Sequence, residues 1–188
     1  MEQIKPKYNR EEAENLVYDD GWKVIPFWKP YGKGMGPHVF CQWYNCKFTD
    51  NEHTYTCTEQ YMMFKKAELF GDLITGEKIL AETDPDKMRK LGREINNFND
   101  STWNNNKYSI VYIGNYLKFS QNEQLKHYIF STKRTVLVEA SPYDAVWGVK
   151  MGAENEDINC PDQWQGQNLL GFVLMHVRDN LIFENLIA

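Results

Sequence analysis

The chain has 188 residues and a formal net charge of −5, long enough for one domain with a buried core and no disulfide or metal staple. The acidic balance excludes a broad, sequence-independent nucleic-acid surface, which needs an excess of Lys and Arg, but leaves room for a small basic pocket around one phosphate. No apolar run approaches the roughly 20 residues that cross a bilayer, and the polar start from Met1 to Arg10 is no signal peptide, so a cytoplasmic protein with no membrane partner is expected.

Residues 1–20 carry no sustained period and are expected as a peripheral arm with a short helix at Arg10–Val17; residues 21–188 are expected as a single domain. Lys23–Trp28 reads as a short strand that Pro26 confines to a sheet edge. The glycine-rich stretch Tyr31–Pro37 is a loop, and Val39–Tyr44, Cys46–Thr49 and His53–Thr56 are expected to form a hairpin that delivers the chain to a helix. That helix, Thr58 to about Phe70, has a wide apolar arc, which predicts a buried element. Gly71-Asp72 breaks it before a short helix at Leu73–Glu82. Asp84-Pro85 pairs an N-cap with a first-turn proline and opens a helix through Met88, Leu91 and Ile95.

Trp103 to about Ser120 carries Ile110, Ile113 and Leu117 on one helical face, and Glu123–Phe130 resumes after Gln121-Asn122. Thr135–Val138 is β-branched and fits a strand. A turn at Ser141–Asp144 and a polar loop at Gly152–Asp162 precede a last helix, Gln167 to about Asn185, with Leu170, Leu174, Val177 and Leu181 on one face. The fold class expected is mainly α with a few short β-strands, of α+β character.

Four features bear on chemistry. Thr56-x-x-Glu59 spells a capping box, in which Glu59 would fold back onto the Thr56 N–H; the competing possibility is a carboxylate held at a helix entrance and free to react. Asp144 and Trp147 stand three apart in a turn after the valine-rich strand, either as an acid beside a stacking ring or as an Asx turn with a core anchor. Gly166-Gln167-Asn168 precede the last helix, where backbone N–H groups either receive a phosphate or simply start the helix. Lys65, Lys66, Arg93, Lys107, Lys118 and Arg178 are cations within ordered segments, of which one or two are expected to meet a phosphate. Cys41, Cys46, Cys57 and Cys160 form no Cys-x-x-Cys pair and the histidines are scattered, so free thiols and no metal site are expected.

The blocks Phe40–Tyr44, Thr58–Asp72, Leu91–Arg93 with Phe98, Trp103, Lys118–Asn122, Leu137–Gly148, Trp164–Gly171 and Met175–Arg178 stand in the order of the NADAR family. The chain resembles that family, whose bacterial members include YbiA-like N-glycosidases, from about Val24 to Leu181. It departs at Cys41-Gln42-Trp43, where many relatives carry Ser-Asn-Phe and so offer a hydroxyl in place of the Cys41 thiol.

The resemblance implies a YbiA-like single domain that hydrolyses a C1′–N glycosidic bond, with no metal or redox cofactor. Its substrate would be a small-molecule or nucleotide-linked ribosyl compound: a phosphoribosylamino-pyrimidine intermediate of riboflavin synthesis, or ADP-ribosylated guanine in nucleic acid. Motif matching implies Glu59 as the carboxylate that stabilises an oxocarbenium-like ribose and orients water. Asp144 would be a second acid/base or hold the ribose hydroxyls, and Trp103 and Trp147 would stack on base or ribose. Arg93 and Gly166, Gln167 and Asn168 are candidates for the phosphate end. Burial among rings is expected to raise the Glu59 pKa, making it competent as an acid at neutral pH. The rival functions are a non-catalytic ADP-ribose or NAD-binding module and a purely structural protein in which Glu59 only caps.

Overall fold

Polar caps punctuate the chain in the computed structural model, which describes residues 3–187. Asn9 opens α1 (Arg10–Tyr18) through a capping box closed by Glu12. Asp72, Asp84 and Asn99 cap α3 (Leu73–Ala81), α4 (Pro85–Arg93) and α5 (Asp100–Gln121) by accepting first-turn backbone N–H groups. The other helices are α2 (Thr58–Leu69), α6 (Glu123–Ser131) and α7 (Leu169–Ile187).

Among the described residues four short strands complete a mainly α fold. β1 (Lys23–Phe27) pairs in parallel with β4 (Thr135–Glu139), in a register running from Lys23 opposite Thr135 to Phe27 opposite Glu139. β2 (Phe48–Thr49) and β3 (Thr54–Tyr55) make a two-residue antiparallel pair. Pro26 sits inside β1, tolerated because a two-stranded sheet consists only of edges.

The core lies between β4 and the helices packed on it. Val136, Leu137 and Val138 are fully buried under α7, which packs on α5, which in turn packs on α2. The expected burial of α2 holds from Thr58 through Phe64 and at Ala67. Its close approach to α5 requires Gly114, where a Cβ would stand 2.6 Å from the Tyr61 ring. The N-terminal segment reaches this body at several points: Ile4 N–H donates to Ser109 Oγ, the Arg10 guanidinium donates to the Gly166 carbonyl, and Ala13 is buried.

The expected hairpin forms between Phe48–Thr49 and Thr54–Tyr55, but Val39–Tyr44 ahead of it is not a strand. Pro37 lacks a donor for a ladder but suits the first turn of a helix, and Pro37–Phe40 forms a 3₁₀ turn. The carbonyls of Val39 and Cys41, free of any strand partner, accept hydrogen bonds from the buried Lys118 ammonium at 2.6 and 3.2 Å. Arg178 is likewise structural, donating to the carbonyls of Thr132 and Thr135. Lys65 pairs with Asp50 and Glu68, and Lys107 bonds Asn104. Among the described residues no helix is long and apolar enough to cross a membrane.

Candidate active site

The parallel strands end side by side, so the segments after β1 and β4 open into one cleft, the position that parallel sheets give to ligands. Trp28, Lys29 and Tyr31 come from the first segment; Glu139, Ser141 and Tyr143–Trp147 come from the second. Glu59, Met62, Met63 and Lys66 of α2, Arg89 and Arg93 of α4, Trp103 of α5 and Cys41–Trp43 line the remainder of a cleft of about 860 Å³. That volume suits a small-molecule or nucleotide ligand.

Glu59 is only 4 % exposed and lines this cleft. The capping box read from Thr56 and Glu59 does not form. α2 begins one residue later, with Cys57 as its cap, and Gln60 Oε1 accepts from the Thr56 N–H and hydroxyl at 2.8 and 3.1 Å. Gln60 is fixed there because its amide also donates to the carbonyls of Ile79, Leu80 and Glu82. The Glu59 backbone N–H and the Thr58 hydroxyl both donate to the Gln42 carbonyl, and Asn115 holds the Gln42 side chain. The helix entrance is thus satisfied without the Glu59 carboxyl. Burial pushes that carboxyl up to about 7, against the opposing pull of Arg89, a hydrogen bond from Trp43 and Arg93, and with the help of Asp144.

Asp144 is half-buried beside it. Its Oδ1 accepts from the backbone N–H groups of Val146 and Trp147, both at 2.8 Å, an Asx turn that turns Trp147 toward the cleft. The Asx turn raised for this residue forms, and its Oδ2 makes no hydrogen bond among the described residues. Arg93 lines the same cleft together with Lys66, a cation also named from the sequence, and Arg89, which was not. Arg89 stands over the Trp43 ring, and Lys66 donates to the Gly92 carbonyl at 2.6 Å beneath the Trp103 and Phe98 rings.

Gly166, Gln167 and Asn168 do not line the cleft, so they are not placed for the phosphate role expected of them. The backbone N–H groups of Gln167 and Asn168 donate to the carbonyls of Ala145 and Gly148, and those of Leu169 and Leu170 donate to Val146 and Trp147. Gly166 is needed because a Cβ would lie 2.2 Å from the Gly148 carbonyl oxygen. Asn168 is fully buried, with its amide donating to Leu137 O and accepting from Glu139 N–H, so it extends the β4 ladder. These residues brace the Asp144–Trp147 turn from behind.

The residue missed from the sequence is Glu139. It lines the cleft at the last paired position of β4, where burial, then Asp144 and Glu59, push its carboxyl up to about 8. The available signal was a carboxylate closing an otherwise apolar strand, Val136-Leu137-Val138.

The model of the NADAR domain matches residues 26–182 of this chain. N-glycosidase R617 of Acanthamoeba polyphaga mimivirus is 41 % identical over 150 residues, covering 77 % of this chain and 88 % of the viral protein. Riboflavin biosynthesis protein VVA0006 of Vibrio vulnificus is 30 % identical over 138 residues, 73 % of this chain but only 34 % of that protein's length. The NMR structure of the E. coli protein YbiA superposes with a TM-score of 0.70 over 87 % of this chain and 88 % of its own, at 24 % identity, which is a likeness of fold.

Proposed function

The chain belongs to the NADAR family, and from that premise we propose that it is an N-glycosidase, hydrolysing the C1′–N bond between a phosphoribosyl or ADP-ribosyl group and a heterocyclic base. The observation that carries the proposal is Glu59, a carboxyl withdrawn from water, free of its own helix cap and facing a ring-lined cleft with Arg89 and Arg93 acting on it. Breaking the bond builds positive charge on the ribose. A carboxylate in a dry cleft stabilises that charge and orients the attacking water.

The surrounding groups support this chemistry. Trp103 and Trp147 offer ring faces for the base and ribose, each stack worth about 1–3 kcal/mol. Asp144, with Oδ1 committed to its turn, has Oδ2 to accept from the ribose hydroxyls. Arg93, with Arg89 and Lys66, forms the cationic wall for a 5′-phosphate or pyrophosphate. The relatives named N-glycosidase and riboflavin biosynthesis protein agree with a ribosyl–nitrogen bond as the target, and the cleft has room for either ribosyl group.

The test is incubation with an oligonucleotide carrying ADP-ribosylated guanine and, separately, with the phosphoribosylamino-pyrimidine. Release of the ribosyl group from at least one substrate is expected. Tight ADP-ribose binding with turnover of neither would replace hydrolysis by a binding module.

A further inference from the structure

Two glutamates face this cleft, and their surroundings treat them oppositely. Glu59 has Arg89, Arg93 and the Trp43 indole to favour its ionised form. The charged groups that act on Glu139 are Asp144, from the turn after β4, and Glu59 from α2, and the buried Cys41 thiol feels its charge in turn. The Oε2 of Glu139 is fully buried and has no hydrogen-bond partner among the described residues. An ionised carboxyl in that position is strongly disfavoured, whereas a neutral one loses far less.

The backbone holds Glu139 firmly in this place. Its N–H donates to Asn168 Oδ1 at 3.0 Å, and its carbonyl accepts from Val149 N–H at 3.0 Å. Gly148 lies so close that a Cβ there would stand 2.7 Å from that same carbonyl oxygen. β4 could end in any residue able to pair with Phe27, yet it ends in an unpartnered acid clamped on both sides and directed into the cleft. Scaffolding does not account for such a group; a ligand that takes its proton does.

We propose that Glu139 is the general acid of the glycosidase, delivering its carboxyl proton to the departing nitrogen while Glu59 receives a proton from the attacking water. This rests on the N-glycosidase assignment. In the step, the C1′–N bond breaks with its electron pair going to nitrogen, and nitrogen takes the proton of Glu139. The water oxygen bonds C1′ and its proton passes to Glu59. One water is consumed, and the carboxyls then restore their starting states by exchange with solvent. Opposed environments that separate the acid from the base are the physical basis of the pair.

The test is the pH dependence of kcat/KM for wild type, Glu139→Gln and Glu139→Asp, on whichever of the two ribosyl substrates the wild type cleaves. Glu139→Gln keeps the shape and neutrality of the side chain, so its fold is expected to survive, as checked by its circular dichroism and thermal midpoint. A fall in kcat of about 10²–10⁴-fold is expected, with KM little changed, loss of the descending alkaline limb near pH 8, and partial recovery in Glu139→Asp. A Gln variant of near-wild-type kcat, or one that is slow but keeps the alkaline limb, overturns the proposal. So does a wild-type profile that stays flat on the alkaline side to about pH 10, an outcome that depends on no variant. Turnover of neither substrate by the wild type would instead remove the N-glycosidase assignment itself.

Discussion

Lys118 and Glu139 stand behind and in front of the Cys41–Trp43 segment, and both are ionisable groups taken out of water. Behind, the Lys118 ammonium meets the carbonyls of Val39 and Cys41 and lies 5.4 Å from the centre of the Tyr44 ring. In front, Glu139 has a buried oxygen with no donor and two acids for company. Burial lowers the Lys118 pKa and raises that of Glu139, each toward the neutral form. Only Lys118 is compensated by the fold itself. A buried charge that the backbone satisfies belongs to the frame, and one left unsatisfied at a cleft is held for a ligand.

Changes on the two sides should therefore differ in kind. The largest effect belongs to the cleft: Glu59→Gln should lower kcat by about 10²–10⁴-fold with a near-unchanged thermal midpoint, and remove the pH limb near 7. A profile whose limb survives in this variant would refute the role given to Glu59. Behind the segment, Lys118→Met leaves the Val39 carbonyl without its donor, at about 1–3 kcal/mol, while the Cys41 carbonyl keeps the Tyr44 N–H. Its denaturant midpoint should fall clearly, and an unchanged midpoint would break the contrast. Trp147→Ala should act between these extremes, raising KM by an amount equivalent to about 1–3 kcal/mol while the protein stays folded; a KM equal to wild type would remove the stacking role.

A separate effect is on stability against pH. The carboxyls of Glu59 and Glu139 lie above their ordinary 4.5 in the folded chain, at about 7 and about 8. A raised carboxyl contributes stability that is fully present below its unfolded pKa and is lost as pH rises through the folded one. The wild-type thermal midpoint should therefore decline between about pH 5 and pH 9. Glu139→Gln should flatten that decline and stand above wild type at the alkaline end. Parallel curves for the two proteins would argue that Glu139 is not held neutral by the fold.

Much of the frame was legible because it is written in local chemistry. Asp84-Pro85 starts α4 as its cap and first-turn proline require, and the apolar arc from Tyr61 to Phe64 is buried as its width predicts. Glu59, Asp144, Trp147 and Arg93 stand out from local chemistry, motif order adds Trp103, and all five meet in one cleft. What failed depended on distant partners. Gln60 displaces Glu59 from Thr56 because the last turn of α3 and the following Glu82 supply three carbonyls to anchor it. Gly166–Asn168 resembles an anion site locally, but the Gln167 and Asn168 N–H groups are taken by the carbonyls of Ala145 and Gly148. Glu139 was passed over because in sequence it merely ends a strand, and its acidic neighbours arrive from other elements.

The parallel pairing of β1 and β4 has a kinetic consequence. Phe27 and Glu139 are 112 positions apart, so their pairing closes a very long loop, whereas the contacts of α2 with α3 and α4 close short ones. The helices are expected to assemble first and the strand pair late. Because Glu139 is the last paired residue of β4, its approach to Glu59 belongs to that late event. Helical signal should therefore recover before turnover does when the unfolded chain is diluted into buffer, and a lag in activity would time the closing of the ladder.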